Sequence, residues 1–354
     1  MDKVLIIGAG PAGMACALAL ARRGFAVGII DRRLGRPPVA KATGVNLRSC
    51  RWLADQGIDL REEAIPMRHF VFHDDEKLVA NVRLPLLSGE APAYLFPQAE
   101  LERRMESALL TQGIGIQYGM TLTAIEAGGK CAVALQTAEG STTTKEVDWV
   151  IGADGGHSTL RQMLDIPFVG RDYPEIWSVA EVDTAAWDDS AQARLHLQRD
   201  GTGLFLSQPS PGVVQGILNA PDVTLAIREK LPDARVRYAR EFRVALRRAE
   251  TARRGKFWLI GDAAHSQSPV GGQGLNLSIR DGVTLGNGLG QAAPDDIARQ
   301  LATQARRTLM FTDFDYRMLS TRSRLIRHAR NAYWQTAARY PWIAHWFFQL
   351  IAGR

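Results

Sequence analysis

The stretch KVLIIGAGPAGMACALALARRGFAVGIID, residues 3–31, admits few folds. Lys3 to Ile7 is a short apolar run rich in β-branched residues, the pattern of a buried strand. GAGPAG follows, and then Met14 to Arg23, where alanine and leucine favour helix. After Gly24, Phe25 to Ile30 forms a second strand that ends on Asp31. Strand, glycine turn, helix and strand within about thirty residues make a βαβ unit, with its two strands parallel.

Gly8, Gly10 and Gly13 have the G-x-G-x-x-G spacing. The first glycine permits the tight turn, the second lets a diphosphate approach the backbone, and the third lets helix and strand pack closely. Pro11 and Ala12 complete the turn where free N–H groups at the helix start receive phosphate. Asp31, with Arg32 beside it, stands where a carboxylate accepts hydrogen bonds from adenosine ribose hydroxyls. The segment predicts a dinucleotide and leaves NAD(P) and FAD both open.

At 354 residues the chain exceeds the roughly 250–300 at which one core stops growing, so more than one lobe is expected. Val45 to Asp55 reads as helix, Met67 to Leu87 as a hairpin broken at Asp74 to Lys77, and Gln98 to Leu110 as helix. Two strands flank Gly128-Gly129, and Val147 to Gly155 is a buried strand running into a glycine turn. Val179 to Leu218 reads as antiparallel sheet, and from Gly274 onward the chain is helical apart from Ala292 to Asp296. This order predicts a discontinuous nucleotide-binding domain over 1–66, 94–166 and 239–290. Residues 67–93 and 167–238 then form a sheet domain, and 291–354 a helical segment.

Lys plus Arg at 43 against Asp plus Glu at 37 leaves a net charge of +6. Much of the excess lies in Arg235 to Gly255 and Arg322 to Arg330, read as solvated helix faces. With no nucleic-acid-binding signature beside them, no nucleic-acid partner is expected. The start MDKVLIIGAG reaches only four apolar residues before its glycines, too short for a signal segment or a membrane span, so a cytoplasmic protein is expected. Cys16, Cys50 and Cys131 have neither disulfide nor metal spacing and read as buried small apolar residues, with no metal site.

Two later segments bear on the cofactor: GADGGHSTLR, Gly152 to Arg161, and GDAAHSQSPVGGQGLN, Gly261 to Asn276. A simple nicotinamide dehydrogenase needs one Rossmann turn and has no place for them. With GAGPAG they resemble the three fingerprints of the flavin-dependent aromatic hydroxylases, the p-hydroxybenzoate hydroxylase-like single-component monooxygenases, in the family's order and approximate spacing. FPQAELERRM, Phe96 to Met105, resembles the helix before the middle motif.

The resemblance implies an α/β fold: a Rossmann-type FAD-binding domain with an inserted antiparallel-sheet substrate domain and a C-terminal helical segment. It implies that Gly8, Gly10, Gly13 and Asp31 hold the ADP half of FAD, and that Gln98 lies along its ribityl and phosphate side. Lys41 stands where the family often has arginine, with a point charge in place of a planar fork. Asp154, Gly155 and Arg161 match a motif that supports FAD and meets pyridine-nucleotide phosphate; the structural alternative for Arg161 is a pair with Asp154. Gly261 and Asp262 would meet a ribityl hydroxyl, the alternative for Asp262 being a helix cap. Pro269 would stand at the flavin edge. Gly271, Gly272 and Gly274 would pass against the ring, and Leu275 and Asn276 open the helix aimed at its pyrimidine edge. His265 reads as a packing or phosphate-side residue.

The implied activity is a monooxygenase that takes NAD(P)H as a transient co-substrate and hydroxylates an aromatic, phenolic or polycyclic molecule with O2 through a flavin C4a-hydroperoxide. A halogenase is disfavoured because W-x-W-x-I-P is missing. A non-catalytic flavin-binding protein is invited by one departure, the helix-weakening Gly282, Gly286, Gly288 and Gly290. Close approach of another element at Gly282 and Gly286 is one explanation, a frayed helix the other. Tyr173, Trp177, Trp187, His196, Gln198, Phe205, Gln208 and Gln215 are pocket candidates whose facing periodicity leaves open. The tail YPWIAHWFFQLIAGR, with Trp342, Trp346, Phe347, Phe348, Leu350 and Ile351, reads as a helix docked on protein, with a lipid surface the alternative. A monomer or homodimer is expected.

Overall fold

The computed structural model describes residues 2–36, 42–187 and 192–353, and of Trp346 only the backbone. Strands Lys3–Ile7 and Ala26–Asp31 pair in parallel, with helix α1, Pro11–Ala21, between them in sequence. Trp149–Gly152 pairs in parallel on the other side of Lys3–Ile7, Phe257–Leu259 pairs with Trp149–Gly152, and Ile116–Tyr118 extends the far edge. Arg253–Arg254 adds an antiparallel edge to this six-stranded sheet. The arrangement explains why distant motifs meet. GAGPAG, Asp31, the Asp154 turn and the Asp262 turn all stand at the carboxyl ends of parallel strands, where open α/β sheets bind ligands.

The strands flanking Gly128-Gly129 are Met120–Glu126 and Cys131–Thr137, joined by Thr142–Val147 into a three-stranded sheet. The expected hairpin is His69–Asp74 with Lys77–Arg83. It enters an eight-stranded sheet by pairing in parallel with Gln192–Leu197, and Gly203–Ser210, Val213–Leu218, Phe168–Asp183, Arg235–Ala249 and His265–Ser266 follow in order. Two sequence-distant insertions therefore build one sheet.

One expectation fails here. RVRYAREFRVALRRA, read as a solvated helix face, is the 15-residue strand Arg235–Ala249, in register with Phe168–Asp183 from Ala249 opposite Phe168 to Arg235 opposite Asp183. The domain boundary expected at 238/239 falls inside it. Its arginines find partners by pairing: Arg237 bonds Asp183 and Arg247 bonds Asp172. Tertiary context overrides the helical appearance of an Arg- and Ala-rich run.

The remaining early helices are α2 (Leu47–Asp55), α3 (Gln98–Thr111), α4 (Thr159–Met163) and α5 (Val223–Lys230). Then come α6 (Gln273–Gly288), α7 (Pro294–Leu319), α8 (Arg324–Arg339) and α9 (His345–Ile351). Helix α2 begins two residues later than expected because Asn46, accepting a hydrogen bond from Ser49 N at 2.8 Å, caps it.

Helix α6 is continuous through its glycines and lies directly on α1. A Cβ on Gly282 would stand 2.4 Å from Ala12 O, and one on Gly286 2.5 Å from Ala19 Cβ. The two backbones approach more closely than any side chain allows, so close packing, not fraying, accounts for these two residues. Gly290, at φ +74°, follows the helix end.

The C-terminal segment completes the core of the large sheet. Trp334 of α8 stacks on Phe72 of the hairpin at 4.4 Å, and Phe348 and Ile351 of α9 are buried in the same cluster. Arg48 N donates to Ala352 O, tying the tail to α2. The tail thus docks on protein, with Trp342 left 75% exposed. Among the described residues no helix is long and apolar enough to cross a membrane. All three cysteines are buried and unpaired.

Candidate active site

One cavity of about 710 Å³ is lined by residues of the six-stranded sheet's carboxyl edge and of the eight-stranded sheet. Gly8, at φ +108°, turns the chain so tightly that a Cβ there would stand 2.3 Å from Ala153 O. A Cβ on Gly13 would meet Gly8 O at 2.0 Å, so Gly13 is internal packing and does not reach the cavity. Gly10 differs: nothing lies within 4 Å of its missing Cβ, and with Gly8, Pro11 and Ala12 it lines the cavity. It is also the N-cap of α1 and offers no capping side chain, so the first N–H groups of the helix open on the cavity.

Asp31 is buried at the cavity wall beside Arg32. It accepts hydrogen bonds from Ala9 N at 2.9 Å and from Arg33 Nη2 at 2.8 Å. Burial opposes its charge, but the Arg33 and backbone donors hold its carboxyl below the usual value. Arg33 lines the cavity too and was missed in the sequence; its only signal there is its place two residues after the acid. Gln98 lines the wall and donates to Glu102 Oε1 at 2.6 Å, which brings Glu102 into the site. Lys41 lies outside the described residues.

Asp154 and Gly155 line the cavity. Asp154 Oδ2 accepts from Thr159 N at 2.7 Å at the start of α4, while Oδ1 is buried without a partner among the described residues. Arg161 is not brought to the cavity. Its guanidinium donates to Gly156 O at 2.7 Å and Ala263 O at 2.8 Å and lies 3.9 Å over the Phe168 ring. It makes no hydrogen bond to Asp154; it joins the second fingerprint turn to the third.

In the third motif Gly261 is buried against Ala12, and Asp262 faces the cavity. Pro269, Gly271, Gly272, Gly274, Leu275 and Asn276 line it. Gly271 and Gly272 adopt φ +77° and +61°, where glycine is the residue at least cost. Gly272 caps α6 without a side chain, so a second helix N-terminus opens on the cavity. Asn276 spends its amide on protein, accepting from Asn46 N at 2.9 Å and donating to Gly44 O and Gly272 O.

His265 lies off the cavity, fully buried, with Nε2 2.6 Å from Asp281 Oδ2. Asp281 also accepts from Gly261 N at 3.1 Å, so this pair fixes the turn that presents Asp262. Burial opposes a charged imidazole, yet Asp281 holds His265 above its usual value.

Of the pocket candidates, Trp177, Phe205 and Gln215 line the cavity. Tyr173 donates to Asp313, His196 stacks on His73, Gln198 donates to Glu76, the Trp187 ring lies under Arg194, and Gln208 is buried off the cavity. Further aromatic residues of the wall are Phe70 and Phe72 of the hairpin, Phe242 of strand Arg235–Ala249, Tyr316 of α7, and Trp334 and Phe347 of the C-terminal helices. The i, i+2 spacing of Phe70 and Phe72 was a usable signal; nothing in the sequence linked them to the tail.

The protein family described as FAD binding domain matches residues 1–215 and 219–306. The chain is 30% identical over 310 residues to 6-methylpretetramide 4-monooxygenase of Streptomyces rimosus, covering 80% of this chain and 54% of that protein. It is 30% identical over 329 residues to pentachlorophenol 4-monooxygenase of Sphingobium chlorophenolicum, covering 82% and 60%. The fold matches the crystal structure of p-nitrophenol 4-monooxygenase from Pseudomonas putida with a TM-score of 0.87 at 20% identity, over 100% of both chains. The chain belongs to the FAD-binding family of flavin-dependent aromatic hydroxylases, and its cofactor is FAD. It spans somewhat over half the length of these two curated relatives. The residues suit that cofactor: two uncapped helix N-termini and the open glycine at Gly10 border one cavity, and Asp154, whose buried Oδ1 has no partner among the described residues, stands in its wall.

Proposed function

We propose that this chain is an NAD(P)H-dependent FAD monooxygenase that places one oxygen atom of O2 on an aromatic, phenolic or polycyclic small molecule in the cytoplasm, as a monomer or homodimer. The single observation that carries the reading is the continuity of the cavity from the GAGPAG turn to an aromatic wall. Bound FAD would supply the redox chemistry that activates O2.

The chain supplies the rest. The N-terminus of α1 would receive the diphosphate, Asp31 the adenosine ribose and Asp262 a ribityl hydroxyl, and Pro269 to Gly274 would hold the flavin. The uncapped N-terminus of α6 would favour negative charge on the bound flavin. Arg161 acts by positioning, since it holds the two turns that carry Asp154 and Asp262. Phe70, Phe72, Trp177, Phe205 and Trp334 would exclude water and offer an aromatic, apolar surface to a ring system. Two relatives are named for 6-methylpretetramide and pentachlorophenol, which agrees with an aromatic substrate. The glycines that invited a non-catalytic reading are accounted for at Gly282 and Gly286 by packing against α1 and give it no support.

Purified protein is expected to be yellow or to reconstitute with FAD, and to oxidise NAD(P)H faster with one member of an aromatic panel, giving a product heavier by one oxygen. Colourless protein that takes up no FAD, or flavoprotein whose NAD(P)H oxidation no aromatic stimulates, overturns the proposal.

A further inference from the structure

Helix α7 carries two carboxylates two residues apart, and the fold treats them oppositely. Asp313 is committed: it accepts from Arg171 at 2.6 Å and from the Tyr173 hydroxyl at 2.7 Å, and Arg317 lies 3.1 Å away. Asp315, about 200° further round the helix, borders the cavity. Among the described residues it has neither hydrogen bond nor ion pair. Its Oδ2 lies 3.6 Å from where a Cβ on Gly271 would stand, so it adjoins the Val270–Gly272 turn that would hold the flavin. Trp177, Phe242 and Tyr316 line the same cavity.

An acid in this place serves no structural purpose that its neighbours reveal. Unpaired charge beside an aromatic wall is costly, and a carboxylate kept there has a ligand as its natural partner. We propose that Asp315 is the proton acceptor for a hydroxyl group on the aromatic substrate, and that it selects phenols over rings without a hydroxyl. The assignment rests on the hydroxylase reading above. In the step it performs, the phenolic O–H bond breaks, the proton forms a new O–H bond on the Asp315 carboxylate, and the electron pair stays on the substrate oxygen. Negative charge passes from carboxylate to phenolate with no change in oxidation state. The phenolate then enriches the ring carbons ortho and para to it. Return of the proton restores the carboxylate.

Desolvation alone pushes the Asp315 carboxyl up to about 7, which matches a proton acceptor that works near neutrality. Among titratable groups, Tyr333 of α8 interacts with it electrostatically, Tyr316 is its neighbour on the same helix, and Arg240 and Arg243 line the same cavity from strand Arg235–Ala249. The Val270–Gly272 turn packed against it carries none.

The test uses FAD-loaded protein with 1-naphthol and 1-methoxynaphthalene as probes, and reads dissociation constants from the change in flavin absorbance. Wild type is expected to prefer naphthol by about tenfold, as a charge-assisted hydrogen bond gives, with the preference growing as pH rises through about 7. In Asp315→Ala the preference falls to about onefold and loses its pH dependence, while FAD content and methoxynaphthalene affinity hold. Asp315→Asn, nearly isosteric, also loses the pH dependence and serves if the alanine variant loses FAD. Equal affinities in wild type, or a preference unchanged in both variants, overturns the assignment. Oxygen incorporation is measured separately on wild type. A naphthol preference that depends on Asp315 without any oxygenated product sinks the hydroxylase reading and leaves the proton acceptor standing.

Discussion

The two ends of the cavity are built by opposite means. At the cofactor end the backbone makes the site: Gly8, Gly10, Gly271 and Gly272 bring main chain to the cavity, and two helices end there without side-chain caps. At the proposed substrate end side chains make it: Phe72, Trp177, Phe205 and Trp334 come from a hairpin, two other strands and a C-terminal helix. The first kind of site fails when an atom is added, the second when atoms are removed.

The largest expected effect lies behind the cofactor end. Asp281→Ala strips His265 and Gly261 N of their shared buried partner and costs about 3–5 kcal/mol. Because Asp281 raises the folded-state His265 value above the unfolded one, near 6.5, the pair's contribution is full below about pH 6.5. It fades as pH rises through the raised value. Thermal unfolding of wild type and variant across pH checks this; a difference that grows with pH contradicts it.

Trp334→Ala removes the ring stacked on Phe72 and is expected to cost about 3–4 kcal/mol in denaturant unfolding. FAD affinity should stay within about threefold, since distant sites act independently. A matching loss of FAD would show that the two ends are not separable.

Gly282→Ala places a Cβ 2.4 Å from Ala12 O and is expected to cost about 1–3 kcal/mol and to weaken FAD binding, because α1 must move with its N-terminus. Gly288→Ala meets only the Ile297 side chain, at 3.0 Å, and should stay within about 1 kcal/mol. Equal melting temperatures for the two variants would remove the close-approach argument.

Smallest in stability is Trp177→Leu, which trims the aromatic wall and should weaken an aromatic ligand about tenfold, as measured by flavin absorbance titration, without altering FAD content. If FAD content falls with it, the wall belongs to the cofactor end.

Legibility divided along the same line. The GAGPAG, GADGG and GDAAH segments could be read because a backbone-built site needs glycine at fixed spacing in one contiguous stretch. Arg161 shows the limit: its motif was visible, but only packing revealed that its guanidinium bonds two main-chain carbonyls. Arg235–Ala249 was misread because an Arg- and Ala-rich run suits a helix until Phe168–Asp183 pairs with it. Asp315 stood unnoticed in a long helical stretch, indistinguishable there from Asp313.

By itself, then, the sequence determined the parallel βαβ start and the three glycine turns, since each follows from local geometry that few residue types satisfy, while the choice of FAD over NAD(P) came from the resemblance those turns carry. Only the tertiary structure decided which aromatic residues face the cavity, that the tail closes the sheet's core, why α6 carries Gly282 and Gly286, and which of two neighbouring acids is left for a ligand. Those features depend on contacts between residues up to hundreds of positions apart, and no local pattern encodes the partner.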